Sequence, residues 1–315
     1  MKHRREAKAI VFVLVVVALF VFRTKLPFYD LVSSLPYDKL YTAVFKSSGI
    51  CGKQGDYAGM LENLRTRNAA LWASRNCSLG ERDASGLGLW KTPYGALWFP
   101  ASAEPRFVYF TVAQFKLGFY PGVSVHRGDT VIDCGGFVGD WAKWALQAGA
   151  ARVVVVEPGL EQLSCIRRNL AREIRDGRVV VYPKGVWDRD ERLWLQHDKT
   201  NPAADSVTEG TGAAGEFIDL TTIDKMVAEL NLTRVDVVKM DIEGAEVRAI
   251  RGARETLNRF RPQLAVATEH TSDILKNNHD VIQAVRETAP FYRYRCGYCA
   301  VADTGPLPET LYFLP

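Results

Sequence analysis

At 315 residues the chain has room for one large domain or two small ones, and its 47% hydrophobic and 24% charged residues exclude general disorder. The net charge of +4 is spread along the chain. Its densest basic stretch, Arg167, Arg168, Arg172 and Arg175, has the spacing of a solvated helix face, so no nucleic-acid partner is expected.

Residues 1–28 read as a membrane anchor or signal. Lys2, Arg4, Arg5 and Lys8 precede an apolar run from Ala9 to Phe22, and Arg23 and Lys25 follow it. As a helix the run is roughly 21 Å long at about 1.5 Å per residue. A hydrocarbon core is about 30 Å thick, so Lys8 and Arg23 must snorkel to complete a span. The alternative is a cleaved secretory signal, against which Val21 to Lys25 offers no small-residue pair for a peptidase. The positive charge before the run places the N-terminus in the cytoplasm and the bulk of the chain across the membrane, in the Golgi or ER lumen if the source is eukaryotic.

Residues 29–85 read as a helical stalk or cap, with the best helical pattern from Tyr57 to Arg75. Gly88 to Thr92 and Ala96 to Phe99 flank Pro93-Tyr94-Gly95 and predict a hairpin. From Thr130 a strand–loop–helix pattern begins. Val131-Ile132-Asp133, Arg152 to Glu157, Val179 to Tyr182, Asp236 to Asp241 and Gln263 to Glu269 are continuous apolar strands, and a helix is predicted from Leu160 to Ile174. Such strands alternating with helices predict a doubly wound α/β fold with a mostly parallel sheet covered on both faces. Residues 201–215, rich in Gly, Ala, Ser and Thr, read as a flexible surface loop, and Tyr292, Tyr294 and Tyr298 as core or pocket wall. The lone Cys296–Cys299 pair has no second pair at zinc-like spacing, so no metal site is expected. In an oxidising lumen Cys51 with Cys77, or Cys296 with Cys299, are the disulfides left open.

The chemistry concentrates at strand ends, where such sheets bind ligands. Asp133 is followed by Gly135, Gly136 and Gly139, a loop that lets the backbone approach a ligand and feeds a helix N-terminus. The spacing departs from the dinucleotide fingerprint, and an acid before the loop suits a cationic ligand. Glu157, ending the next strand, can accept hydrogen bonds from two ribose hydroxyls. Lys239 and Asp241 share one strand face and are read as an ion pair. Glu243 and Glu246 are read as sharing a helix face near its positive end. His270 follows the fifth strand and is the expected general base for a hydroxyl nucleophile, oriented by Glu269 or assisted by Asp241.

Val131 to Gly139 resembles motif I of class I S-adenosylmethionine methyltransferases, and Glu157-Pro158, Leu220 to Asp224, Val238 to Glu246, Arg251-Gly252-Ala253, Arg261-Pro262 and Glu269-His270 together resemble the FkbM family of that class. The resemblance covers residues 86–315. It implies a seven-stranded Rossmann-like sheet, S-adenosylmethionine as cofactor, and O-methylation of a glycan or small-molecule hydroxyl, with the membrane engaged through residues 9–22. Gly136 and Phe137 stand where that family usually has alanine and asparagine. An NAD-dependent oxidoreductase and a membrane-tethered non-enzymatic module are the competing readings.

Overall fold

A computed structural model describes residues 49–198, 201, 203–208, 210, 214–302 and 305–315, all within the unit Lys46–Pro315. The apolar run at 9–22 lies outside the described residues, and among these no helix is long and apolar enough to cross a membrane.

In chain order the described elements begin with α1 (Gly52–Ala73), β1 (Ser78–Arg82), β2 (Gly88–Thr92), β3 (Gly95–Phe99) and α2 (Pro105–Leu117). The alternation then runs β4 (Thr130–Cys134), α3 (Asp140–Ala148), β5 (Arg152–Val156), α4 (Leu160–Asn169), α5 (Ala171–Arg175) and β6 (Val179–Tyr182). A second stretch adds β7 (Gly185–Val186), β8 (Glu191–Gln196), β9 (Ser206–Thr208), β10 (Gly215–Thr221) and α6 (Ile223–Glu229). The chain closes with β11 (Val237–Met240), α7 (Glu246–Arg251), α8 (Arg254–Phe260), β12 (Gln263–Ala267), α9 (Ile274–Thr288), β13 (Arg293–Ala302) and β14 (Gly305–Leu314).

The main sheet has seven strands in the order β13-β14-β12-β11-β4-β5-β6. The five from β12 to β6 are parallel, and the terminal hairpin β13–β14 adds two antiparallel strands at one edge. Period-two alternation sends Val131, Val153, Val237 and Ala265 into one core, and Ile132, Val154, Val238 and Leu264 into the other. With helices on both faces, the inner strands are buried at every position, which is why they read as unbroken apolar runs. From β4 the chain steps outward to β5 and β6, then returns to β11 on the other side. The strand order therefore reverses between β4 and β11, the crevice where open α/β sheets bind ligands.

The predicted hairpin forms as β2–β3, with β1 as a third strand. The helix predicted from Leu160 to Ile174 is broken at Leu170, which leaves helical geometry (φ −118°) and is fully buried in the core. A four-stranded sheet, β7-β10-β8-β9, stands where no strand pattern was expected. One of its strands, β9, lies inside the stretch read as a flexible loop, because Val207 pairs with Leu195 and packs against the Leu195–Ile218–Leu220 cluster.

Within the segment read as stalk or cap, α1 packs against α2 and β13. Small residues make the close approach, with Ala69 and Ala70 meeting Ala113. Just before α1, Cys51 is disulfide-bonded to Cys296 of β13. Neither pairing open from the sequence forms, because Cys51 takes Cys296 as its partner. Tyr292, Tyr294 and Tyr298 belong to this end of the molecule, with the Tyr292 hydroxyl donating to the Pro262 carbonyl and Tyr294 to that of Ile50.

Candidate active site

A cavity of about 450 Å³ opens at the carboxyl ends of β4, β5, β11 and β12. That volume is in the range of small-molecule sites. One end is lined by Glu157, Pro158, Gln162, Lys184 and Asp205, the other by Asp241, Glu243, Glu269 and His270, with Gly135 and Phe137 between them. Phe107 and Phe110 of α2 and Tyr120 after it form an aromatic wall.

The glycine loop is built for close approach. Gly135 sits at φ +82°, and a Cβ there would run into the Asp241 carbonyl, so only glycine brings β4 and β11 together at the cavity floor. Gly136 and Gly139 serve packing instead. A Cβ on the first would meet Val155, and on the second Leu170, and neither lines the cavity. Phe137 adopts φ +44°, a conformation that costs energy outside glycine and is held here by its amide donating to Glu157 Oε2 at 2.9 Å.

Glu157 ends β5 with 8% of its surface exposed. Its second carboxylate oxygen accepts from the Gly159 amide at 3.0 Å. Burial outweighs these bonds and pushes its pKa up to about 7. Asp140, the first residue of α3, also lines the cavity and is pushed to about 7 by burial.

Asp133 does not line the cavity. It is fully buried beneath the loop with Lys239 Nζ 3.1 Å from its carboxylate. Lys239, 4% exposed, also donates to the Gly135 carbonyl at 2.6 Å and lies 3.8 Å from Asp241. The acid before the loop is therefore not a contact for a cationic ligand but half of a buried pair that pins the loop to β11. Burial works against the Lys239 charge, yet Asp133, Asp241 and Asp140 hold it protonated well above the ordinary lysine value. The expected Lys239–Asp241 pairing is present, secondary to the one with Asp133.

At the other end, His270 is surrounded by carboxylates. Its Nε2 lies 3.2 Å from Asp241, 3.5 Å from Glu243 and 3.8 Å from Glu269, and its Nδ1 lies 3.2 Å from Glu246. Burial opposes its charge, but hydrogen bonds to Asp241 and Glu246 and the charge around it push its pKa up to about 12. A histidine held as imidazolium cannot accept a proton at neutral pH, so the general-base role expected from sequence fails. Asp241 is held in turn well below the carboxylate range: burial acts against it, and Lys239, His270 and the Tyr120 hydroxyl, donating at 2.6 Å, outweigh burial. Burial pushes Glu243 up to about 8 and Glu269 to about 7.

Glu243 and Glu246 do not share a helix face. Glu243 precedes α7 at φ +54° and Gly244 follows at φ +97°, a left-handed turn that brings the Glu243 carboxylate to His270. Glu246 starts α7, fully buried, and accepts from the Ile242 amide at 3.0 Å. Sequence reading missed the aromatic wall and Asp140. The spacing Phe107, Phe110, Gln114 on α2 was a usable signal, since it leaves Val108, Val112 and Phe115 for the core.

Residues 133–298 match the family model described as methyltransferase FkbM domain. Among solved structures the chain is similar to the methyltransferase FkbM from Methylobacillus flagellatus KT, at 19% identity and TM-score 0.47 over 79% of this chain and 59% of that one. It is also similar to the O-methyltransferase from Bacillus cereus in complex with SAH (11% identity, TM-score 0.37, 59% of this chain and 74% of that one). A third similarity is to spermidine synthase from Thermotoga maritima (12% identity, TM-score 0.38, 75% and 70%). The chain spans less than two thirds of the first of these proteins. Comparison with curated proteins gives no match.

Proposed function

Because the chain belongs to the methyltransferase FkbM domain family, we propose that it transfers a methyl group from S-adenosylmethionine to a hydroxyl of a glycan or other small molecule at a membrane. The observation that carries this reading is the single cavity joining Glu157 at one strand end to the Asp241–Glu269–His270 cluster at another. The residues fit the donor. Glu157 has lone pairs left for two ribose hydroxyls after accepting from Phe137 and Gly159. Asp140, which also lines the cavity, suits the donor's ammonium group. When bound, the donor supplies a methyl group already activated by its sulfonium.

The chain's own work is alignment and proton removal. Phe107, Phe110 and Tyr120 give an acceptor ring a flat face to lie on and exclude water. With His270 engaged at both nitrogens, the acceptor's proton goes to Glu269, which lines the cavity with 37% of its side chain exposed. Asp241 and Tyr120 position the cluster. The membrane context is supported by the charged and apolar pattern of residues 1–25. Placement of the domain on the non-cytoplasmic side is supported by the Cys51–Cys296 disulfide, since disulfides persist in oxidising compartments.

Calorimetry with S-adenosylhomocysteine and with NAD tests the donor. The full chain is expected to bind S-adenosylhomocysteine in the micromolar range and NAD not at all. Loss of charge-assisted bonds to ribose in Glu157→Ala is expected to weaken binding by about tenfold or more. Binding of NAD alone would replace the methyltransferase reading with an oxidoreductase, and no binding by folded protein would favour a non-enzymatic module.

A further inference from the structure

We propose that Asp241, Glu243 and His270 form a binding site for one first-row divalent cation, of which Mn²⁺ is the type. The three residues offer two carboxylate oxygens and one imidazole nitrogen that lie within 4.8 Å of one another. Measured from His270 Nε2, the partners are at 3.2 Å (Asp241 Oδ1) and 3.5 Å (Glu243 Oε1). Ligands about 2.0–2.2 Å from a common ion sit about 3.0–3.5 Å from each other, so His270 Nε2 stands at coordination-shell spacing from both carboxylates.

A second observation is independent of that cluster. Glu246 reaches His270 from the opposite side, its Oε1 lying 3.2 Å from Nδ1. It is fully buried, and its Oε2 has no hydrogen-bond partner. A metal-binding histidine characteristically donates its other ring N–H to such a carboxylate, which fixes the tautomer and points the free nitrogen at the metal. Here the nitrogen so pointed is Nε2, which faces the three carboxylates of Asp241, Glu243 and Glu269 and gives up its proton to solvent when the cation takes that proton's place. The ligands come from the ends of β11 and β12, which are neighbours in the sheet but far apart in sequence, so no sequence spacing signals the site. Two carboxylates with one imidazole suit first-row divalent ions, Mn²⁺ among them, more than Ca²⁺ or a thiophilic metal.

The cation's role rests on the methyl-transfer reading, although its binding does not. It lies in the same cavity as Glu269 and Tyr120, where it would take up the acceptor's oxygen and hold it against the aromatic wall. Substrate recognition at this end would then favour an acceptor with two neighbouring oxygens able to chelate the ion.

The test is a Mn²⁺ titration of the full-length chain in detergent after chelator treatment, following loss of the free-ion signal by electron paramagnetic resonance. One site per chain in the micromolar range is expected. It should be lost in Glu243→Gln and His270→Gln, kept in Glu157→Gln, and weakened by about 10–100-fold in Glu246→Gln, the effect of removing a carboxylate behind a metal-binding histidine. Glu243 is partly exposed, so its amide variant tests the ligand set without emptying the core. No binding up to millimolar Mn²⁺, or equal binding by Glu243→Gln, overturns the site. Because the readout needs no methyl donor, a failed donor-binding experiment leaves this outcome legible, and a failed Mn²⁺ titration leaves the donor reading intact.

Discussion

Replacing Lys239 with methionine is expected to cost the fold about 3–5 kcal/mol, the range seen when one partner of a buried ion pair is removed. The reason is what stays behind. Asp133 is fully buried, and the Lys239 ammonium at 3.1 Å is the cation beside it. The same ammonium holds the Gly135 carbonyl and faces Asp241, so its loss leaves Asp133 uncompensated and frees the loop, while Asp241 keeps His270 and Tyr120. A domain of this size has about 5–15 kcal/mol in total, so the variant should unfold at markedly lower urea. The double variant Lys239→Met with Asp133→Asn removes both charges and should recover much of the loss. An exposed pair gives the contrast. Lys225 and Asp190 are bonded to each other, but their side chains are 46% and 55% exposed, so Lys225→Ala should leave the urea midpoint nearly unchanged. A Lys239→Met variant as stable as wild type would show that Asp133 is not held as a charged partner.

The same pair marks how far sequence carried. Continuous apolar runs ending in acids placed β4, β5, β11 and β12 within a residue or two, because a strand covered on both faces must be apolar throughout. The strand ends then located Glu157, Lys239, Asp241, Glu269 and His270 at one cavity, except that Lys239 also reaches under it. What failed was chemistry that depends on a third element. Asp133 looked like a ligand contact because its partner lies on β11. His270 looked like a base because Glu243, in the turn before α7, and Glu246, at its start, could not be placed against it without the left-handed turn at Glu243 and Gly244. Half of the small sheet was invisible for a simpler reason: β7 and β9 are two and three residues long, too short for any period to register. Cys51 and Cys296 are 245 positions apart, and pairing at that range is not readable from spacing.

Binding of S-adenosylhomocysteine is expected to tighten about tenfold per pH unit up to pH 7 and then level off, roughly a hundredfold between pH 5 and 7. The sign follows from Glu157. Its pKa rises from 4.5 in the unfolded chain to about 7 in the fold, chiefly through burial. A raised carboxyl pKa favours the folded chain fully below 4.5, and that contribution is lost as pH climbs through 7. A ligand whose ribose hydroxyls donate to Glu157 prefers the ionised carboxylate, so binding below pH 7 must expel the proton. Calorimetry at pH 6 in two buffers of different ionisation heat should therefore report one proton released at this site. Asp140 and Glu269 line the cavity with values near 7, and Glu243 near 8, so wild type alone could mix their contributions. The Glu157→Gln variant separates them. It should bind more weakly at pH 8 and lose one unit of slope below pH 7, whatever the acids at the far end contribute. A slope unchanged in that variant would place the titrating group at the Asp140 or Glu269 end and take the ribose role away from Glu157.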